Sequence, residues 1–470
     1  MINQIIHYFK NFIPHEIREN FSITIYNCPE EFSVLINSRR QPPKIIQPHH
    51  YLNNDFHQTI FQPLINNNIN YNYIKPQNQN DFIEHTIYET ENGNNINFIQ
   101  ESNQHNKNNQ ENPIPPEKKH LRGLVNIAST CYINSILQCF CNIKELAVYF
   151  QSDKMNKLII NYKYDSNKFF PVFQEVIKQL WDPKDNSPYS PYDFKNRLGD
   201  MNPLFRGAIP NDAKDLLTFI LLQLHEELNK QPNNNNINNN INENMQHDKK
   251  LMFQNFCKFF INNYRSIISD LFFGIFYTET QCINGHTFYN YQTFNFIIFP
   301  LEKVLQYRNA SNNVNSNFNN TITIKDCFKY YEFPTFLNDY YCNICRNQGN
   351  CKYTNKLSVL PNILIIILNR GKGLEFNVKL SFENENLGLA KYVEYCKDET
   401  IYELIGMVTH YGESSANGHF VARCKSPIDG EWYLYNDQIV KNIGYFNNES
   451  FAQGNTYILF YKKINFKNNK

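Results

Sequence analysis

Cys131 ends the run Gly123-Leu-Val-Asn-Ile-Ala-Ser-Thr-Cys131 and opens the segment Tyr132-Ile-Asn-Ser-Ile-Leu-Gln138. Ser129 and Thr130 are N-cap candidates, which sets Cys131 in the first turn of a helix. Ile133, Ile136, Leu137 and Phe140 recur at the spacing of one apolar face, so the helix is expected to be amphipathic. At that end of a helix the dipole favours thiolate over thiol, the form in which a cysteine attacks a carbonyl. A cysteine standing alone is more often a small buried apolar residue, and the thiol gains meaning only with partners.

The partners are a base to take the thiol proton and a third group to orient that base. Gly418-His419-Phe-Val-Ala422 reads as the start of one strand and Glu431-Trp-Tyr-Leu-Tyr-Asn436-Asp437 as the end of the next. Ser426-Pro-Ile-Asp-Gly430 between them is a turn. A hairpin centred in that turn sets His419 roughly opposite Asn436, close enough for a side-chain hydrogen bond, with Asp437 able to replace or assist it. The glycine-containing stretch from His410 to Gly418 reads as a mobile loop of the kind that gates a channel.

The elements around these residues have a direction. Helical periodicity dominates from Cys131 to about Phe260, with a clear helix from Asp212 to Leu228. Strand-like runs follow: Phe288 to Pro300, Leu357 to Leu368, Ile401 to Thr409, His419 to Cys424, Glu431 to Tyr435 and Thr456 to Lys462. Helices first and antiparallel strands later predict an α+β domain, a helical lobe packed on a sheet. Three asparagine-rich tracts, about 91–112, 233–246 and 309–320, bury too little apolar area to order themselves and read as loops or inserts. The first, with Pro113-Ile-Pro-Pro116, makes 91–120 a linker between residues 1–90 and a domain over 121–465. The N-terminal part holds candidate strands Phe21 to Tyr26 and Phe32 to Ile36, and no motif with legible chemistry.

Composition narrows the setting. The 470 residues are 41% hydrophobic and 15% aromatic, enough for a substantial core. A net charge of +1 gives no electrostatic footprint for nucleic acid or an acidic membrane. No apolar run reaches the roughly 18 residues of a membrane span, and Met1-Ile-Asn-Gln-Ile-Ile-His has no basic region or continuous apolar stretch of a secretory signal. Twelve irregularly spaced cysteines point to reduced thiols, catalysis or metal binding. The expected compartment is the cytosol or the nucleus.

Together the motifs resemble those of the ubiquitin-specific protease family. The cysteine segment is similar to the family's Gly-Leu-x-Asn-Leu-Gly-Asn-Thr-Cys-Tyr-x-Asn-Ser-x-Leu-Gln box. The later segment is similar to its histidine box, with His410-Tyr-Gly, Gly418-His-Phe, Trp432-Tyr and Asn436-Asp in order. Asn211-Asp-Ala-Lys-Asp215-Leu resembles the family's Gln-Asp-Ala-x-Glu-Phe helix start, and the likeness runs from about 121 to 463. It implies a papain-like cysteine protease with a helical thumb, an antiparallel-sheet palm and a fingers subdomain. It also implies hydrolysis of the bond after the terminal Gly-Gly of ubiquitin through a thioester, with ubiquitin and ubiquitinated proteins as partners. Carried over by position, Cys131 is the nucleophile, His419 the base, Asn436 the orienting group with Asp437 beside it, and Asn126 the oxyanion donor. Asp212 corresponds to an acid that meets the arginine-rich tail of ubiquitin, and His410 and Phe420 to substrate contacts.

Three departures bear on that reading. Ala128-Ser129 replaces Gly-Asn, a mild change where the backbone is not at positive φ. Phe420 replaces a tyrosine and loses a hydroxyl. Family members often carry two Cys-x-x-Cys pairs that hold a structural zinc; here Cys342-Asn-Ile-Cys345 is intact, whereas Cys282-Ile-Asn-Gly-His286 has glycine at the second cysteine. Cys282, His286, Cys342 and Cys345 form one candidate zinc set, and the alternative is a decayed site of ordinary thiols. No cofactor is expected for catalysis. Three other classes stay open: a catalytically silent ubiquitin-binding scaffold, a protease for a ubiquitin-like modifier, and a zinc-ribbon nucleic-acid binder, against which the neutral charge counts.

Overall fold

In the computed structural model the described residues are 21–27, 32–38, 44–46, 121–162, 167–229, 248–312, 320–370, 378–395, 397, 400–414, 417–445 and 455–464. Contacts divide the chain into Met1–Tyr88 and Glu89–Lys470. The first unit holds an antiparallel sheet of β1 (Phe21–Asn27), β2 (Phe32–Ser38) and β3 (Lys44–Ile46), in which Phe21 pairs with Ser38 and Val34 with Ile46. The 91–120 linker and the 233–246 tract lie outside the described residues.

The second unit begins with helices: α1 (Cys131–Cys141), α2 (Lys144–Gln151), α3 (Asp153–Tyr162), α4 (Phe170–Leu180), α5 (Tyr192–Met201), α6 (Ala213–Leu228), α7 (Lys249–Asn263) and α8 (Ile267–Phe272). α1 is the hub. Every one of its residues is buried, so the expected amphipathic helix is instead enclosed on all sides. Its two amides are anchored through their NH2 groups: Gln138 Nε2 donates to the Arg122 carbonyl at 3.0 Å, and Asn134 Nδ2 bonds across the site described below, while the amide oxygens of both stay buried without a hydrogen-bond partner. Phe140 meets Phe173, Phe272 and Phe460 edge to face, tying α1 to two helices and a strand. The start of α4 is capped from a distance, the Glu227 carboxylate accepting the N–H groups of Phe169 and Phe170.

The strands follow: β4 (Gly274–Cys282), β5 (Thr287–Phe294), β6 (Ile297–Pro300), β7 (Thr321–Thr323), β8 (Thr335–Cys342), β9 (Asn347–Val359), β10 (Ile363–Asn369), β11 (Lys379–Ser381), β12 (Leu387–Gly388), β13 (Ile401–Ser414), β14 (Asn417–Lys425), β15 (Trp432–Asn436), β16 (Ile439–Gly444) and β17 (Thr456–Lys463). Between them lie α9 (Leu301–Asn312) and α10 (Ile324–Tyr331), so the helix reaches four residues into the tract read as an insert from 309. The main sheet has the order β16-β15-β14-β13-β17-β10-β6, with β12 on β13, and is antiparallel except for the β10–β6 pair. A separate four-stranded sheet, β5-β4-β9-β8, forms the fingers.

β10 shows why the main sheet lies between two cores. Ile363, Ile365 and Ile367 join the core shared with the helical lobe, while Leu364, Ile366 and Leu368 join the core under α9 and α10. An uninterrupted apolar strand is what burial on both faces demands. β17 splits the same way, Ile458 and Phe460 against Leu459 and Tyr461. The helical lobe therefore packs on one face of the sheet, and α1 is pressed against β14 through Phe420, Ala422 and Cys424 in that shared core.

Two local expectations change. The stretch from His410 to Gly418 is largely strand, β13 running on to Ser414 and β14 starting at Asn417, with an irregularity between Tyr411 and Ser414. The β14–β15 ladder pairs Ala422 with Tyr435 and Cys424 with Tyr433, two residues away from the register that sets His419 directly opposite Asn436. An offset of two keeps both side chains on one face, so the pair meets diagonally.

Candidate active site and metal centre

His419 and Asn436 come together as their shared face requires: His419 Nε2 lies 2.6 Å from Asn436 Oδ1. An amide oxygen only accepts, so Nε2 carries the proton and Nδ1 is left as the basic nitrogen. The thiol of Cys131, first residue of α1, acts on the same ring. That interaction is the main reason the His419 pKa is raised; burial opposes it, and the Asn436 carbonyl and the Asp437 carboxylate add to it, bringing the pKa to about 9. The arrangement favours the imidazolium form of His419.

The turn before α1 is built around Asn126. Its Oδ1 accepts the Thr130 N–H at 2.9 Å, while Thr130 Oγ1 turns back to accept the Ile127 N–H at 2.8 Å. Thr130 is the N-cap residue, in place of Ser129, and it makes no side-chain capping bond to the helix. Ala128 and Ser129 stand at φ 55° and 60°. The replacement of Gly-Asn is therefore not mild: both side chains sit in the left-handed region, where a Cβ costs about 1–2 kcal/mol per residue.

Asp437 binds the two halves of the site. One carboxylate oxygen accepts Asn126 Nδ2 and the other accepts Asn134 Nδ2, each at 2.8 Å. Its carbonyl accepts the Leu124 N–H at 2.9 Å, and its own φ is 50°. Asp437 Oδ2 is 4.0 Å from His419 Nε2, so the acid assists the histidine by its field and leaves the direct bond to Asn436. Gly123 is needed for this closure, since a Cβ there would lie 2.4 Å from the Gln438 carbonyl oxygen.

The substrate-contact candidates form a neighbouring cluster. Asp212 is the N-cap of α6, accepting the Lys214 N–H at 2.8 Å. Tyr457 also donates to it, at 2.7 Å and 2.8 Å to its two oxygens. Burial first and the Asp212 carboxylate second push the Tyr457 pKa far up, so the phenol stays a donor. Phe420 is buried between His410 and Tyr457, with ring centroids 4.5 Å and 5.9 Å away. His410 is buried against Gly418, and burial lowers its pKa, with His419 acting in the same direction and Asp212 opposing. Asn134 and Tyr457 are the partners that sequence reasoning missed. For Asn134 the signal was available, an amide near the start of a helix rich in apolar residues.

The metal candidates converge at the tip of the fingers. Cys282, His286, Cys342 and Cys345 offer ligand atoms that all lie within 4.8 Å of one another. Cys282 Sγ is 3.7 Å from Cys345 Sγ, and His286 Nδ1 is 3.6, 3.0 and 3.8 Å from the sulfurs of Cys282, Cys345 and Cys342. A tetrahedral zinc with Zn–S near 2.3 Å and Zn–N near 2.05 Å separates its ligands by about 3.6–3.8 Å. The set fits such an ion. Gly285 at φ 84° makes the turn that brings His286 round, and Asn284 Nδ2 donates to Cys345 Sγ at 3.1 Å.

Comparison with known proteins agrees with this geometry. The family model described as ubiquitin carboxyl-terminal hydrolase matches residues 122–461. Ubiquitin carboxyl-terminal hydrolase 2 of Bos taurus is 25% identical over 357 residues, covering 73% of this chain and 55% of the relative. Ubiquitin carboxyl-terminal hydrolase 4 of Saccharomyces cerevisiae is 27% identical over 380 residues, covering 73% and 39%. The chain thus spans about half the length, or less, of these relatives. For Gallus gallus ubiquitin carboxyl-terminal hydrolase 2 the identity is 26% over 362 residues, covering 74% and 96%. Among solved structures, the SAGA DUB module Ubp8/Sgf11/Sus1/Sgf73 bound to monoubiquitin shares the fold, with a TM-score of 0.53, 19% identity, and 74% and 70% of the two chains covered. With its model matched from Arg122 to Tyr461, the chain belongs to the ubiquitin carboxyl-terminal hydrolase family.

Proposed function

We propose that this protein is a cysteine-type deubiquitinase that hydrolyses the peptide or isopeptide bond after the C-terminal glycine of ubiquitin. The observation that carries the reading is the Cys131–His419–Asn436 constellation, assembled from a helix start and two strands. Thiolate Cys131 attacks the glycine carbonyl. The oxyanion that develops takes the Asn126 amide hydrogen that is not spent on Asp437, an interaction of a kind worth about 3–4 kcal/mol in the transition state. His419 then gives its proton to the leaving amine, and a thioester to Cys131 remains. Water, deprotonated by His419, releases ubiquitin.

Asp212, His410 and Phe420 are assigned to the ubiquitin tail. The carboxylate supplies negative charge for its arginines, and the two rings are assigned to the wall along which its glycines pass. Cys282, His286, Cys342 and Cys345 would hold a zinc that fixes the fingers and takes no part in the chemistry. Thiolate nucleophile and thiolate ligands alike suit a reducing compartment, the cytosol or nucleus.

The test is labelling by ubiquitin with a C-terminal thiol-reactive group, read as a mass shift on wild type and Cys131→Ala. An adduct on wild type alone supports the reading. Binding without an adduct would replace it with a silent scaffold, and neither binding nor adduct would point to another ubiquitin-like modifier.

A further inference from the structure

The β13–β14 hairpin sorts its residues by parity. His410 pairs with Phe420 and Tyr411 with His419. Successive side chains of a strand point to opposite faces, and directly paired residues share one. Phe420 belongs to the core shared with the helical lobe, which places His410 and Phe420 on the side of Asp212 and Tyr457. Tyr411 and His419 therefore occupy the other face. Arg423 is on it as well, two residues along from Val421, and so is Asn436, diagonal to His419.

On that second face Tyr411 is held in place. The Arg423 guanidinium, itself buried, donates to the Tyr411 hydroxyl at 2.7 Å and to Thr409 Oγ1. Tyr411 remains 39% exposed, so a fixed aromatic surface stands beside the general base and is open to a ligand. The ubiquitin tail has its own candidates on the opposite face. The group that must lie against His419 on leaving is the amine it protonates.

We propose that Tyr411, fixed by Arg423, is the leaving-group wall of the site, against which the aliphatic arm of the isopeptide lysine packs. Arg423 is a positioning residue acting through Tyr411. A rigid ring suits a four-carbon stem whose nitrogen must reach His419, because the apolar arm gains contact area while its end stays polar. This inference rests on the hydrolase reading.

The test compares two substrates by kcat/KM, which reports the steps through acylation: ubiquitin in isopeptide linkage to a lysine peptide, and ubiquitin ethyl ester, whose leaving group has no such arm. Tyr411→Ala is expected to lower the isopeptide value about tenfold relative to the ester. Arg423→Met should shift the ratio the same way by less, with Arg423→Lys and Tyr411→Phe recovering most of it. Equal losses on both substrates, or a ratio that does not move in Tyr411→Ala, would overturn the assignment and leave Tyr411 a structural residue. Tyr411 is the less buried of the pair, so its variant reports even where loss of Arg423 unfolds the sheet. Wild type that turns over neither substrate overturns the hydrolase reading itself, a separate result.

Discussion

Asp437 holds Asn126: the asparagine amide donates to the Asp437 carboxylate at 2.8 Å across 311 positions of sequence. An oxyanion donor is effective only when it is already aimed where charge will develop. Removing Asn126 and removing its tether should therefore cost the same step. Asn126→Ala is expected to lower kcat by about 10²–10³, and Asp437→Ala to approach that loss, with KM little altered in either. The double variant should be scarcely worse than Asn126→Ala, because residues that act as a unit are not additive. Fully additive losses in steady-state kinetics would mean that Asp437 acts through His419 or Asn134 rather than through Asn126.

The raised pKa of His419 gives the pH dependence a sign. Its partners bring it to about 9 from an ordinary value near 6.5. Activity that needs the imidazolium beside the thiolate should fall as pH passes about 9. Asn436→Ala removes a carbonyl that stabilises the cation, so its alkaline limb should move to lower pH. Stability follows the same linkage: the contribution is complete below about pH 6.5 and is lost as pH rises through 9. Urea midpoints should thus decline over that window in wild type and decline less in His419→Gln. An Asn436→Ala limb unmoved from wild type would remove the amide from this role.

The elements were legible in the sequence where one periodicity ruled. β17 carries a continuous apolar run and α6 begins at the acidic cap that marks it, whereas the run read from Leu357 to Leu368 divides into the end of β9 and β10. The convergence of His419 on Asn436, near Cys131, was readable because the candidate nucleophile, base and orienting amide stand in motifs with turn residues on the correct side. Distance in sequence hid the rest. Nothing local announces that Tyr457 donates to Asp212, or that Asp437 unites Asn126 with Asn134. The expected His419–Asn436 hydrogen bond forms, while the exact β14–β15 register differs by two residues because the turn fixes it through backbone geometry that composition does not display. The hairpin after His410 read as loop because Gly412 to Gly418 is rich in turn formers, yet pairing with His419 and Phe420 keeps Tyr411 and His410 in a strand.

Ala128 and Ser129 carry a cost that can be removed. Each holds a Cβ at positive φ in the turn that aims Asn126. Glycine reaches that conformation freely, though it gives back part of the gain through a freer unfolded chain. Ala128→Gly is expected to stabilise by about 0.5–1 kcal/mol, seen as a higher urea midpoint at unchanged slope. Ala128→Val should destabilise by more, since β-branched residues fit that region worst. A destabilised glycine variant would mean that the turn adopts another backbone.

Four candidate ligands meet at the tip of the fingers, and the fourth is the histidine one position beyond the expected cysteine; the zinc proposed for them would fix that tip. Purified wild type is expected to hold one zinc per chain by elemental analysis. His286→Ala should lose most of it, while His286→Cys, which rebuilds a four-sulfur set, should keep it. Loss of metal should speed amide exchange in the turns joining β4 to β5 and β8 to β9, because a structural site contributes its binding energy to local folding. The network around Asp437 lies in other strands, so exchange there should change less. Full zinc retention in His286→Ala would show that the three cysteines recruit a different fourth ligand, and absence of zinc from wild type would make them ordinary thiols.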